Sequence, residues 1–193
     1  MKRLVQLLCL IVVFSGGVFA DNLSLQPSTT TPALGNSVTV DVIITGVSDL
    51  YAFQFDIDFN PAVLSATGVV EGSLFGSIGV FFSPGFIDNT AGTITFIGDS
   101  LSGPGPGVNI DGILATLTFE AIGVGSSSID LANILLLDSN LFDIPLDASG
   151  TAVTVASSAV PEPGSWVLLG AVVVMLVVWG GKKGLRANRS YQG

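Results

Sequence analysis

Asp56 and Asp58 are the residues of this chain whose types and spacing come nearest to a catalytic pair. They lie two positions apart in the alternating run Tyr51 to Phe59. In a strand this places both carboxylates on one face with Cα atoms about 7 Å apart, a separation at which paired carboxyl groups cleave glycosidic bonds. That chemistry also needs one acid kept protonated in an apolar cleft, and Gln54 instead continues the polar face. The pattern favours a solvated strand face over a carboxylate-only glycoside hydrolase, which stays the less favoured alternative.

The rest of the central segment lacks the residues on which most catalysis depends. Between Asp21 and Pro161 there is no His, Cys, Lys or Arg, and fourteen of the fifteen acidic residues lie there. Ser-His-Asp, Cys-His and Schiff-base chemistries are therefore excluded. An acidic surface without cations repels phosphate backbones; it either attracts divalent cations and basic partners or simply keeps the protein soluble. We predict that the protein is not an enzyme and does not bind nucleic acid.

Oxygen donors near the predicted strand ends raise the question of a bound cation. Calcium takes six to eight oxygen ligands, from carboxylates and from amide or backbone carbonyls. Asp and Asn also favour turns for purely local reasons, so their occurrence at strand ends has two explanations. We predict no cofactor, and calcium stays an open alternative. The candidate donors are Asp56, Asp58, Asn60, Asp88, Asn89, Asp99, Asn109 and Asp111.

The sequence predicts that short β-strands position these side chains. In Ser37 to Thr45 and in Tyr51 to Phe59 apolar and polar residues alternate, which is typical of a strand with one buried face. Turn signals recur about every ten residues, as in two-sheet sandwiches. We predict an all-β sandwich of about nine strands: Ser37–Thr45, Tyr51–Phe59, Val63–Val70, Val80–Phe86, Gly92–Gly98, Ile113–Ala121, Ser127–Leu131, Asn133–Leu137 and Thr151–Ala156.

Read together, the strands resemble the cohesin domains. Phe59-Asn60-Pro61 stands where cohesins have a Tyr-Asp-Pro corner, and the flanking runs follow in the cohesin order over nearly all of Leu23 to Val155. The resemblance implies a jelly-roll sandwich, and cohesins bind the calcium-loaded dockerin modules of cellulose-degrading complexes. The runs that carry the resemblance are Ser37–Val42, Phe55–Leu64, Gly92–Ile97, Asp111–Phe119 and Ala152–Val155.

The recognition face of this chain departs from that family. Dockerin-binding cohesins use an Asn-x-Asp pair on the strand before the corner, and the matching positions here are Ala52 and Gln54. The resemblance places Asp99 where such cohesins have an acidic residue after the central strand. The candidate partner-binding face is therefore Gln54, Asp56, Asp58 and Asp99, with dockerin binding as one alternative.

The N-terminus has the pattern of a secretory signal peptide over residues 1–20. Lys2 and Arg3 precede the apolar run Leu4 to Phe14, and Val18-Phe19-Ala20 offers the small residues that signal peptidase reads. We expect cleavage after Ala20. The one cysteine of the chain, Cys9, lies inside this segment. The mature domain, residues 21–157, therefore folds without disulfides.

The C-terminal segment, residues 158–193, reads as a membrane-sorting signal. A Pro-rich motif precedes an uncharged apolar run at 165–181, which predicts a transmembrane helix of roughly 25 Å, and the basic tail at 182–193 should stay cytoplasmic. This order resembles the PEP-CTERM signal that exosortases process; a permanent anchor is the other interpretation. The motif residues are Val160, Pro161, Glu162 and Pro163, and the basic residues are Lys182, Lys183, Arg186 and Arg189.

These observations lead to one functional interpretation. We expect a non-catalytic protein exported across the inner membrane to the cell envelope, surface or extracellular matrix, whose cohesin-like domain binds a protein or a polysaccharide. The alternatives are an adaptor that recruits dockerin-bearing enzymes and the glycoside hydrolase described above. The expected processing partners are signal peptidase and exosortase.

Trypsin provides a test of the predicted topology. The sequence contains no Lys or Arg between Arg3 and Lys182. Trypsin added to intact cells should therefore leave the exported domain at full length, whether or not it is folded, as judged by immunoblotting. A ladder of fragments would contradict the predicted topology or show that other proteases act.

Overall fold

The computed structural model describes residues 21–76, 81–157 and 171–176. The chain divides into two compact units after Ser157. The sorting motif and the four basic residues of the C-terminal tail lie outside the described residues, as does the predicted signal peptide.

The first unit contains ten strands among its described residues. These are β1 (Asp21–Pro27), β2 (Ser37–Thr45), β3 (Leu50–Phe59), β4 (Leu64–Glu71), β5 (Ser83–Asp88), β6 (Thr93–Ser100), β7 (Gly112–Ala121), β8 (Gly125–Asp138), β9 (Leu146–Ser149) and β10 (Thr151–Val155).

The strands form two five-stranded sheets, which confirms the prediction of an all-β sandwich. The first sheet has the order β4-β7-β2-β1-β9 and the second has the order β10-β8-β3-β6-β5. Neighbouring strands are antiparallel except for β1 and β9, which are parallel. The buried apolar side chains of both sheets form a single core.

The prediction of about nine strands differs from the observed ten in two respects. The predicted strands Ser127–Leu131 and Asn133–Leu137 are one strand, β8, which a bulge at Asn133 divides into two alternating halves. β1 and β9 were missed because their patterns are weak. β1 buries only Leu23 and Leu25, and β9 has four residues of which none is fully buried.

Alternation explains how β2 and β3 build the core. Val38, Val40, Val42 and Ile44 of β2 are all buried, with the polar residues between them on the other face. In β3 the buried aromatic residues include Phe59, which packs edge-to-face against Phe119 of β7 with 5.2 Å between ring centroids. Burial of this kind supplies most of the stability of a domain that has no disulfides.

The corner after β3 carries the chain from the second sheet to the first. The side-chain oxygen of Asn60 accepts a hydrogen bond from the Ala62 amide. The backbone carbonyl of Asn60 accepts bonds from the Val63 and Leu64 amides. Gly92 lies against this corner with φ of +75°, and its carbonyl accepts a bond from the Phe59 amide. A Cβ atom on Gly92 would lie 2.3 Å from the Phe59 carbonyl oxygen. Only glycine fits this position without strain.

Residues 171–176 of the second unit are helical and exposed. Over the stretches that the structure describes, no helix is long and apolar enough to cross a membrane. The predicted span at 165–181 lies mostly outside those stretches and remains a prediction.

The core makes a direct prediction about stability. Phe119→Ala should lower the free energy of unfolding by about 3–5 kcal/mol, since it removes a fully buried ring and leaves a cavity between the sheets. Phe81, which is 74% exposed, provides the control: Phe81→Ala should change stability by less than about 0.5 kcal/mol. Urea unfolding of residues 21–157, which hold the whole core, measures both. Equal effects would contradict the assigned core.

Candidate functional site

Asp56 stands at the centre of the second sheet, between two bulged neighbours. Its carboxylate is 8% exposed. Oδ1 accepts a hydrogen bond of 2.7 Å from the backbone amide of Phe96 in β6, and Oδ2 accepts one of 2.6 Å from the side-chain amide of Asn133 in β8. Phe96 and Asn133 both have left-handed backbones, with φ of 61° and 47°. The pairing of β3 shifts by one residue against each neighbour at this level.

These two shifts decide which side chains face outward. A one-residue shift exchanges the two faces of a strand. On β6 it turns Phe96 out of the sandwich, 56% exposed, while Ile94 and Ile97 on either side are buried. On β8 it turns Leu135 outward, while Ile129 and Leu136 are buried. The Asp56 carboxylate therefore holds the backbone geometry that brings apolar side chains to the surface.

The outward apolar side chains border a groove on the outer face of the second sheet, which we call the outer groove. It has a volume of about 330 Å³. At the β5 side of the same face Phe86, 72% exposed, packs edge-to-face on Phe96 with 6.5 Å between ring centroids. The residues lining the outer groove are Ala52, Phe53, Gln54, Phe81, Ser83, Phe96, Gly98, Asp99, Ser100, Leu135 and Leu137.

The other end of the same face is acidic. Asp58 of β3 lies directly opposite Asp130 of β8, and both side chains are exposed. Like charges facing each other across strands are unfavourable, and the segment Asp21 to Pro161 contains no cation to balance them. The outer face therefore combines an apolar half with a negatively charged half.

The structure brings together three of the four candidate partner-binding residues. Gln54, Asp56 and Asp58 share the outer face of β3, although Asp56 is occupied by its bonds to Phe96 and Asn133. Asp99 borders the outer groove but is only 4% exposed. It pairs in register with the buried Phe53, so its side chain is directed to the inside of the sandwich.

The side chains of Asp88, Asn89, Asn109 and Asp111 form hydrogen bonds with backbone groups. Oδ1 of Asp88 accepts bonds from the Ala91 and Thr90 amides, which lower the pKa of this carboxyl. Asn89 binds the Ala66 backbone, Asn109 binds the Asp49 amide, and Asp111 binds the Gly46 amide. Among the described residues no three acidic, His or Cys side chains come together as a metal site.

The sequence alone did not identify the exposed apolar residues on the outer face of the second sheet. Phe81, Phe86 and Phe96 were not singled out, because alternation alone counts every phenylalanine of a strand as a core residue. The only available signal was the spacing of Ile94 and Ile97, which breaks the period of two and indicates a bulge between them.

Two stacked five-stranded sheets, antiparallel except for the pair β1 and β9, define a β-sandwich as the class of protein. The cohesin-domain family matches residues 23–157, and the chain belongs to that family. This match confirms the resemblance inferred from the strand runs. No curated protein matches the chain.

Solved structures share the fold at low sequence identity. A type II cohesin domain from the cellulosome of Acetivibrio cellulolyticus aligns with a TM-score of 0.60 and 17% identity, over 69% of this chain and 95% of that one. The sixth cohesin of scaffoldin B of the same organism, in complex with a mutant Cel5 dockerin, gives 0.57 and 19% over 71% and 99%. The non-cellulosomal cohesin of the archaeon Archaeoglobus fulgidus gives 0.58 and 16% over 72% and 92%.

The Asp56 interaction can be tested with a matched pair of variants. Asp56→Asn replaces one carboxylate oxygen with a donor that faces either the Phe96 amide or Asn133, so it should cost about 1–3 kcal/mol of unfolding free energy. Asp58→Asn on the same strand removes an exposed charge opposite Asp130 and should be neutral or slightly stabilising. Urea titrations compare the two. Similar costs for both variants would show that the Asp56 bonds do not hold the bulges.

Proposed function

We propose that this protein is a non-catalytic binding protein whose cohesin domain recognises a protein partner through the outer groove. The observation that carries the proposal is the exposure of Phe81 and Phe96, which line one groove, and of Phe86, which packs against Phe96. Clustered exposed aromatic side chains mark interaction sites, because a surface without a partner gains nothing from keeping them in water.

Charge adds a second property of the partner. Asp58 and Asp130 lie opposite each other on the same face, within a segment that contains no cation. A partner that places apolar side chains in the outer groove and basic side chains over these carboxylates would match both halves of the face. Complementary charge of this kind raises the rate of association and selects among partners.

The relation to dockerin binding is the less favoured alternative within this proposal. The scaffoldin B cohesin to which this chain is similar was solved in complex with a dockerin. In this chain Ala52 and Gln54 stand where the resemblance expects the Asn-x-Asp pair, and both line the outer groove. Recognition here would rest on apolar contact more than on that pair of polar groups.

The carboxylate-only hydrolase receives no support from the geometry. Both carboxylate oxygens of Asp56 accept hydrogen bonds, one from the Phe96 amide and one from the Asn133 side chain. Asp58, the other member of the pair, is exposed on an open strand face and is not enclosed in an apolar cleft. Neither carboxyl has the environment that a general acid requires.

The proposal includes delivery of the protein to the cell surface or matrix. The predicted signal peptide, the motif at 160–163, the span at 165–181 and the basic tail support export across the inner membrane and PEP-CTERM sorting to the cell surface or matrix. An acidic domain that folds without disulfides suits such an environment.

Affinity capture with groove variants tests the proposed face. Residues 21–157 are immobilised and exposed to the secreted proteins and polysaccharides of the producing cells, with calcium or with EDTA. We expect retention of a discrete protein, and a loss of at least about tenfold in its retention by Phe96→Asp and by Leu135→Asp. Aspartate tolerates the left-handed backbone of residue 96, so the first variant should keep the fold.

The matched control is Ile122→Asp, which changes an equally apolar side chain, 49% exposed, in the connection from β7 to β8 outside the outer groove. It should retain the partner as the unchanged domain does. Equal retention by groove and control variants would refute the proposed face. Retention of polysaccharide alone would refute a protein partner, and loss of a retained protein in EDTA would favour the dockerin alternative.

A further inference from the structure

The connection from β1 to β2 carries four consecutive hydroxyl residues between two prolines. This hydroxyl run is Ser28-Thr29-Thr30-Thr31, and Pro27 and Pro32 flank it. Serine- and threonine-rich stretches with proline are typical of O-glycosylated segments. Such a run in a loop also has a simpler explanation, because Ser and Thr side chains stabilise turns by bonding to nearby backbone groups. The hydrogen bonds and the exposure of each residue distinguish the two explanations.

Backbone hydrogen bonds hold the hydroxyl run on the surface of the sandwich. The Ser28 amide donates to the Thr39 carbonyl of β2 at 2.8 Å, and the Thr154 amide of β10 donates to the Thr30 carbonyl at 2.8 Å. Pro32 is buried, and its carbonyl accepts a bond of 3.2 Å from the Ala156 amide. The backbone of the run is therefore fixed along its length.

The first two hydroxyl groups of the run stabilise the backbone. Oγ of Ser28 accepts a bond of 3.1 Å from the Thr39 amide, and Oγ1 of Thr29 accepts one of 3.2 Å from the Thr31 amide. Thr29 is half-buried, whereas Thr30 and Thr31 are both exposed. Local bonding therefore explains Ser28 and Thr29, and the exposed pair Thr30 and Thr31 is the part of the run that an enzyme can reach.

The chain around this pair lacks the charge that hydrates other parts of the domain surface. No charged residue lies between Asp21 and Asp41, although fourteen acidic residues lie in the segment Asp21 to Pro161. Leu34, just after the run, is 42% exposed. A glycan is bulky and solubilising, so it supplies hydration where the chain supplies no charge.

We propose that Thr30 and Thr31 are O-glycosylation sites of this domain. In each transfer a bond forms between Oγ1 of the threonine and the anomeric carbon of a sugar that is activated as a nucleotide or lipid phosphate ester. The bond from that carbon to the phosphate breaks, the phosphate leaves with the electron pair, and a base of the transferase takes the hydroxyl proton. The run contributes no residue to the outer groove, so glycosylation and partner recognition use different parts of the surface.

Mass spectrometry of the full chain, purified from the producing cells, tests both sites. An endoprotease that cuts before aspartate releases Asp21–Val40, which holds the whole run, whether or not the predicted signal peptide has been removed. We expect this peptide to be heavier than its sequence by one or more sugar residues, and electron-transfer fragmentation to locate them on Thr30 and Thr31. A peptide with the mass of its sequence alone would overturn the proposal.

The same digest supplies an internal control. The peptide Asp88–Gly98 also carries three threonines, but they are not adjacent and it contains no proline, so it should have the mass of its sequence. Equal modification of the two peptides would overturn the proposal, because transfer would then not depend on the hydroxyl run.

A double variant tests the assignment to the exposed pair. Thr30→Val with Thr31→Val removes both hydroxyl groups and keeps the β-branched shape at two exposed positions, so the fold should be kept and the sugars lost. Sugars that the double variant retains, on Ser28 or Thr29, would show that exposure does not select the modified residues and would refute the assignment.

Discussion

The carboxylate of Asp56 is the interaction on which the outer face of the second sheet depends. It accepts one bond from the backbone of β6 and one from a side chain of β8, so one residue fixes the pairing of three strands. Both neighbours change register at this level, and the change moves Phe96 and Leu135 outward and Asp99 inward. The apolar side chains of the outer groove and the inward direction of Asp99 therefore have the same structural cause.

The segment Asp21 to Pro161 contains no Lys, Arg or His, so its buried carboxylates cannot be stabilised by ion pairs within the domain. A buried carboxylate is normally compensated by Arg or Lys, and here the available donors are N–H and O–H groups. Asp49 accepts bonds from Gly107 and Ser139, Asp88 from its own turn, and Asp56 from two bulges. Asp99 accepts a bond from the Ser100 amide. Charges without such partners, such as Asp58 and Asp130, remain on the surface.

Much of the fold could be predicted from the sequence, and the details of the surface could not. Alternation correctly assigned the buried faces of β2 and β3, because those assignments need only local spacing. The bulges at Phe96 and Asn133 depend on a carboxylate that is distant in sequence, and the local pattern gives only the broken period between Ile94 and Ile97 as a sign of the first. For the same reason Asp99 was expected on the recognition face by resemblance, whereas its side chain is directed inward. β9 was missed because an edge strand of four mostly exposed residues carries little hydrophobic signal.

The pairing of β1 with β9 has a consequence for the order in which the domain forms. β1 is the first strand of the domain, and its parallel partner comes almost at the end of the chain segment that folds. In the second sheet, β3 likewise pairs with β8 across a long stretch of sequence. Neither sheet can be completed before the last strands of the domain have been synthesised. A chain with such high contact order folds slowly and late, because distant segments must meet before either sheet is complete.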